Sequence, residues 1–159
     1  MKIIKFIFIV SLIMCISSCN NQTIVSYNNT IVSAHEELLK INQDFSMQYE
    51  QFLEKSKSKA EFMALISKTK TRIAEAKKTV EALIPINDEG LRAKMLDMFD
   101  AYDNSMLVFK VKIDTLTNPA LKSEAIMLLL TEFHKLKELD DEIREIQLRY
   151  AANNNTQIR

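Results

Sequence analysis

Apolar side chains recur at every third or fourth position through most of the chain, the spacing that aligns residues on one face of an α-helix. Four segments carry this pattern, at about residues 27–55, 57–83, 88–117 and 118–150. The first stripe is Ile31, Ala34, Leu38, Ile41, Phe45, Tyr49 and Phe52, and the third is Leu91, Met95, Met98, Tyr102, Met106, Phe109, Ile113 and Leu116. Each segment therefore predicts one long amphipathic helix.

The second and fourth segments repeat the same spacing. The second stripe is Phe62, Ile66, Thr69, Ile73, Ala76, Val80 and Leu83. The fourth is Leu121, Ala125, Leu128, Phe133, Leu136, Leu139, Ile143, Ile146 and Tyr150, with Glu132 lying off the pattern. These residues are the predicted core of helices two and four.

Polar residues and prolines mark the helix boundaries. Ser58 with Glu61 three positions later predicts a capping box, and Pro85 ends the second helix because it crowds the preceding residue. Asn87 or Asp88 is the expected cap of the third helix. Asn118, followed by Pro119 in the first turn, opens the fourth helix.

Short connections between four helices of similar length predict an all-α, antiparallel up-down-up-down bundle over residues 26–150. One glycine and two prolines make a sheet protein improbable. An extended coiled coil or a dimer of hairpins would use the same spacing. Net charges of −3, +4, −2 and −2 along the four segments favour a closed monomeric bundle in which the basic second helix lies between acidic neighbours.

The N-terminus has the pattern of a secretory signal, with Lys2 and Lys5 ahead of the apolar run 6–16. This run is too short to span a bilayer, which takes roughly 20 apolar residues. Ile16-Ser17-Ser18-Cys19 then resembles the lipobox of bacterial lipoproteins. The resemblance implies cleavage of a signal peptide at residues 1–18 and lipidation of Cys19. The polar, uncharged residues that follow predict that residues 19–25 are the lipidated cysteine and a tether.

Cys15 is the competing lipidation residue, but bulky Met14 precedes it where lipoproteins carry a small residue. Cleavage before Cys19 would remove Cys15 and leave no internal disulfide. By resemblance to enterobacterial lipoproteins, Asn20 in place of aspartate favours the outer membrane. The periplasmic and surface faces both stay open.

Residues 19–159 carry 19 basic and 21 acidic residues, a net charge of −2 that does not indicate nucleic-acid binding. Neither His35 nor His134 belongs to a Glu-x-x-His motif, and no haem-attachment motif occurs, so each is interpreted as a solvated or rim histidine. His134 is expected to pair with Glu138.

The densest carboxylate run is interpreted as a solvated helix face. Its members are Glu138, Asp140, Asp141, Glu142 and Glu145. No calcium loop accompanies them. We therefore expect a non-enzymatic protein without a cofactor or a metal site.

Two apolar runs, at residues 106–109 and 126–130, are wider than one core stripe and lie about nine residues from the turn at 117–118. They share one level, away from the lipid. The residues beyond the stripe either complete the core or face a partner, and Leu128 is expected to be buried. These candidate partner-binding residues are Leu107, Val108, Val111, Met127 and Leu130.

The motif Tyr27-Asn28-Asn29-x-Ile31-Val32 ahead of an all-helical chain resembles small bacterial surface lipoproteins of unassigned function. The resemblance implies a membrane-anchored envelope protein with a helical domain. Residues 151–159 are rich in asparagine and are expected to form a frayed tail. The first functional hypothesis is a protein-interaction module whose partner is another envelope protein. The alternative is a bundle that carries an apolar ligand or haem.

Overall fold

The structure is a computed structural model that describes residues 22–55 and 58–155, apart from the side chains of 53–55. Helices account for most of these residues, and no strand occurs among them. The helices are α1 (Ile24–Lys55), α2 (Lys59–Glu81), α3 (Leu91–Val111), α4 (Ile113–Thr117) and α5 (Lys122–Asn153), with a 3₁₀ turn at Pro119–Leu121 before α5. The predicted all-α bundle is confirmed.

The helices follow one another around the bundle in chain order. α1 packs on α2, α2 on α3 and α3 on α5, while short α4 contacts both α2 and α5. The seam between α5 and α1 is closed by long side chains. We call the end with the start of α1, the α2–α3 turn and the end of α5 the proximal end, and the opposite end, with α4, the distal end.

The predicted stripes form the core. All seven residues of the first stripe and all eight of the third are buried. Aromatic rings fill the distal half, where Phe45 stacks on Phe109 at 5.5 Å between ring centroids and Tyr49 lies 5.3 Å from Phe62. Large rings in contact exclude water over much of the interior, which is the main stabilising contribution.

Local side-chain chemistry begins the helices as predicted for α2. The Ser58 Oγ accepts a hydrogen bond from the Glu61 amide at 3.3 Å, and the Glu61 carboxylate accepts one from the Ser58 amide at 2.8 Å. The Asn118 side chain caps the 3₁₀ turn by accepting from the Ala120 amide. The α-helix that follows begins only at Lys122.

The α2–α3 turn depends on a glycine. Gly90, at the N-cap of α3, has φ +86°, a left-handed conformation that costs a residue with a Cβ more than it costs glycine. Asp88 was one of the two predicted caps, and its carboxylate accepts from the amides of Gly90 and Arg92. Asp88 therefore satisfies amides of the first turn although it is not the N-cap itself.

The basic second helix lies between its acidic neighbours, as the charge pattern predicts. Arg72 of α2 pairs with Glu37 and Asp44 of α1 at 2.8 and 2.6 Å. Lys70 of α2 pairs with Asp103 of α3 at 2.6 Å. Such partly exposed pairs contribute about 0–1 kcal/mol each, so they select neighbours more than they add stability.

Helix bounds and register differ from the prediction at several positions. The third helix breaks at Lys112 (φ −93°, ψ 20°), and the first and last helices run to Ile24 and Asn153. Within α5, Leu129 is buried whereas the expected Leu128 is only half-buried. Glu132, expected off the core, is 6% exposed. Register fails here because three consecutive leucines satisfy several helical faces equally well.

Candidate interaction surfaces

Four of the five candidate partner-binding residues are solvent-exposed aliphatic side chains. The exposed fraction is 50% for Leu107, 70% for Val111, 62% for Met127 and 58% for Leu130. We call these four residues the distal surface. Val108, the fifth candidate, is half-buried. Val108 therefore belongs at least partly to the packing between helices.

The distal surface occupies the outer faces of two neighbouring helices. Leu107 and Val111 are four residues apart and so share one face of α3. Leu107 also lies one turn beyond Asp103, which pairs with Lys70 of α2, so this face is on the α2 side of α3. Met127 and Leu130 lie near the start of α5. The four residues are thus at one end of the bundle but on two helices.

A groove of about 510 Å³ runs between α2 and α3, and two of its lining residues, Asp103 and Lys110, lie about one turn on either side of Leu107 in α3. Its lining includes the apolar side chains of Met63 and Ile66 and the cations of Lys70 and Lys110. Asp103 also lines the groove, and its ion pair with Lys70 crosses it. An apolar floor with charged rims is a surface that suits a peptide segment more than a small metabolite.

The seam between α1 and α5 contains a buried histidine, so the prediction of a solvated or rim histidine is wrong for His35. His35 is 6% exposed, and its Nε2 lies 2.6 Å from Oδ1 of Asp140. Its Nδ1 lies 3.4 Å from Nε2 of Gln147. Arg144 donates to the other oxygen of Asp140. Burial is tolerated because each polar group has a partner.

Asp140 also corrects the interpretation of the carboxylate run as a uniformly solvated face. Its side chain is 14% exposed, whereas Glu138, Asp141, Glu142 and Glu145 are exposed. The run thus has one member turned toward α1. The predicted pair between His134 and Glu138 is confirmed at 3.5 Å on the surface.

Glu132 is a second buried acid, located between α3 and α5. Its carboxylate accepts a hydrogen bond from the Ser105 hydroxyl at 2.9 Å and from the Lys135 ammonium at 2.6 Å. These two bonds compensate the carboxylate for the water it loses on burial. Ser105 is itself 3% exposed, so the pair serves packing.

The proximal end holds a cluster of two tyrosines and an aspartate. The ring centroids of Tyr27 and Tyr150 lie 5.5 Å apart, and the Tyr27 hydroxyl donates a hydrogen bond to the Asp88 carboxylate at 2.5 Å. Burial and this hydrogen bond raise the pKa of Tyr27. Burial acts to raise the pKa of Asp88, but the bonds it accepts from Tyr27 and from backbone amides outweigh burial and lower it.

Burial alters the other tyrosines in the same direction. It raises the pKa of Tyr49 to about 12, and it raises the pKa of Tyr150, with Asp88 adding to the effect. Burial also raises the pKa of Tyr102, to which the nearby charge of Asp140 contributes. The fold therefore raises the pKa of all four tyrosines of the chain, so each ionises at a higher pH than a free tyrosine.

The proximal end also exposes apolar side chains that the periodicity did not single out. Val25, Ile84 and Leu148 are 58%, 59% and 61% exposed. Ile84 directly precedes Pro85, which ends the predicted second helix. A sequence signal for this exposed apolar residue does exist, because an isoleucine stands on each side of the proline in a turn where polar residues are usual.

Neither a metal site nor a membrane span is found in the described part of the chain. No three histidine, cysteine, aspartate or glutamate side chains among residues 22–55 and 58–155 are placed to hold a metal ion. None of the helices in these ranges combines the length and apolar character needed to cross a bilayer. Cys19, the predicted lipidation residue, lies outside them.

Comparison with known proteins found no matching family model, no matching curated protein and no matching solved structure.

Proposed function

We propose that this chain is an exported lipoprotein, anchored through Cys19, whose helical bundle presents the distal surface to a protein partner in the cell envelope. The anchor rests on the signal-like N-terminus and on the lipobox resemblance of Ile16-Ser17-Ser18-Cys19. The partner function rests on one observation, the exposure of four large aliphatic side chains at one level of the bundle.

Isolated apolar residues are normal on protein surfaces, so their arrangement matters more than their number. Leu107 and Val111 are one turn apart on the α2 side of α3, and Met127 and Leu130 are about one turn apart on α5, so each pair offers an apolar contact at the same level of the bundle. The α2–α3 groove, with its apolar floor and its lysines, continues this area toward α2. Methionine adds an adaptable contact that fits partners of varied shape.

The position of the anchor supports the same function. Cys19 stands three residues before Gln22, where the described proximal end begins. α1 has 32 residues and so spans about 48 Å at 1.5 Å per residue. A lipid at Cys19 would hold the proximal end near the bilayer and leave the distal surface accessible to other proteins.

The polar interior supports a binding role over catalysis. His35, Asp140 and Glu132 are the conspicuous titratable groups inside the bundle, and each bonds to another side chain of the bundle. A catalytic acid or base needs access to a substrate proton. The hydrogen bonds of these groups instead connect α1 to α5 and α3 to α5.

Photocrosslinking in cells would test the proposed surface. A photoreactive amino acid is placed at Met127 or at Leu148, which lie on the same helix with exposed fractions of 62% and 61% but at opposite ends of the bundle. We expect a discrete crosslinked protein from Met127 and not from Leu148. The same bands from both positions, or none from Met127, would contradict a distal partner site.

A companion variant separates binding from folding. Met127→Ser should leave stability within about 0.5 kcal/mol, because the side chain is exposed, yet weaken the crosslink formed from neighbouring Leu130. If Met127→Ser unfolds the bundle instead, the residue is part of the core and the distal surface is not a binding site.

A further inference from the structure

Three interhelical connections assemble the proximal end into one unit. The Gln22 side chain accepts from the Ile84 amide at 3.0 Å and donates to the Ile84 carbonyl. Tyr27 donates to Asp88. Asn153, at the end of α5, donates to Glu89. The α2–α3 turn is thereby bonded to the start of α1 on one side and to the end of α5 on the other.

Two aliphatic side chains project from this bonded end. Ile84 is 59% exposed although its backbone is held by Gln22, and Val25, three residues after Gln22, is 58% exposed. Pro85, next to Ile84, is also exposed. These two aliphatic side chains would gain the free energy of burial if another phase or molecule covered this end of the bundle.

The two acidic side chains of the α2–α3 turn, Asp88 and Glu89, already have hydrogen-bond or ion-pair partners. Asp88 accepts from Tyr27 and from two backbone amides, and Glu89 accepts from Asn153 and lies 3.6 Å from Arg149. Compensated carboxylates cost less to bring into a region of low polarity than free ones. The turn can therefore approach an apolar phase without an unpaired negative charge of its own.

The short segment between Cys19 and Gln22 indicates that a membrane would be what covers these side chains. Three residue steps separate Cys19 from Gln22, so their Cα atoms are at most about 11 Å apart in any conformation. A lipid on Cys19 would hold the exposed Ile84 and Val25 at the bilayer surface at high effective concentration. The turn needs only a weak affinity for lipid, because the anchor already holds it next to the bilayer.

We infer that the proximal end is a membrane-docking face, in which Ile84 and Val25 enter the headgroup region of the bilayer that holds the anchor. The inference rests on the proposed lipidation of Cys19. Docking at this end would set the long axis of the bundle away from the membrane and so orient the distal surface. A tether alone would leave the bundle free to tumble.

Fluorescent probes at single thiols test the docking. Ile84→Cys and Val25→Cys, with Val111→Cys as the matched distal control, each introduce one free thiol, since Cys15 would be removed with the signal and Cys19 would be alkylated by lipid. The acylated protein, processed so that it begins at Cys19, is labelled with a polarity-sensitive fluorophore and reconstituted into phosphatidylethanolamine–phosphatidylglycerol vesicles. A fraction of the lipids carries a nitroxide quencher, and mass spectrometry of the same sample reports the acyl group.

The probes at residues 84 and 25 should shift to shorter emission wavelengths and lose intensity to the quencher, while the probe at residue 111 should do neither. Water-like emission at residue 84 on an acylated protein would overturn the docking and leave the anchor standing. Equal quenching at residues 84 and 111 would overturn it as well, because the bundle would lie along the membrane. An unacylated mass would overturn the anchor, and the docking with it.

Discussion

Two adjacent leucines of α5 give the sharpest test of the helix register on which the distal surface depends. Leu129 is 7% exposed and belongs to the core, whereas Leu130 is 58% exposed. Leu129→Ala and Leu130→Ala remove the same atoms from the same helix, and both introduce the best helix former. Any difference in stability between the two variants therefore reports burial alone.

The expected magnitudes differ enough to measure. Leu129→Ala should lower the free energy of unfolding by about 2–5 kcal/mol, because it removes buried apolar surface and leaves a cavity that the neighbouring helices fill only partly. Leu130→Ala should change it by no more than about 0.5 kcal/mol in either direction, since water already contacts most of that side chain.

Urea unfolding of residues 22–155, followed by circular dichroism, gives both values from the midpoints if the slopes are equal. Equal losses in the two variants, or a larger loss for Leu130→Ala, would refute the register. The distal surface would then be wrongly defined, because Met127 and Leu130 would turn toward the core with it.

Three further predictions concern the interior and the assembly. Native protein should show little tyrosinate absorbance at pH 10.5, where unfolded tyrosines with a pKa of about 10 are mostly ionised, because burial raises the pKa of all four. The folded state then holds more protons, so stability should fall as pH rises from about 10 toward 12, and a native titration midpoint near 10 would contradict this. Ser105→Ala should cost about 1–3 kcal/mol by leaving Glu132 short of a donor, and adding Glu132→Leu should recover much of that loss in urea unfolding. Residues 22–155 should sediment as a helical monomer, and a stable dimer at micromolar concentration would oppose the closed bundle.

The sequence predicted the stripes of α1 and α3 well because apolar residues return at every third or fourth position along the whole of each stripe. Phe45, Tyr49 and Phe52, for example, can be buried together on only one face of the helix. Charge likewise predicted the neighbours of α2, because seven cations are concentrated in the segment 57–83, between two acidic segments. Such local regularities survive folding unchanged.

Periodicity was less informative where it was degenerate or interrupted. Leu128, Leu129 and Leu130 cover more than half of the helix circumference, so packing against α3 and α1 decides which is buried. The break at Lys112 leaves no mark, because Phe109 and Ile113 keep the spacing through it.

Long-range pairs could not be predicted at all. His35 and Asp140 are 105 residues apart, and nothing in either local pattern signals the hydrogen bond that makes His35 buried. The exposed Ile84 was missed for a related reason. Its significance comes from Gln22, 62 residues away, which bonds its backbone and so holds its side chain outward.

The proposed lipid on Cys19 is what would place this bundle at a membrane. Metabolic labelling with an alkyne fatty acid, combined with membrane fractionation, tests it on the full-length chain and on its Cys19→Ser and Cys15→Ser variants. We expect Cys19→Ser alone to lose the label and to leave the membrane fraction. Loss of label in Cys15→Ser alone, or retention of label in Cys19→Ser, would contradict it.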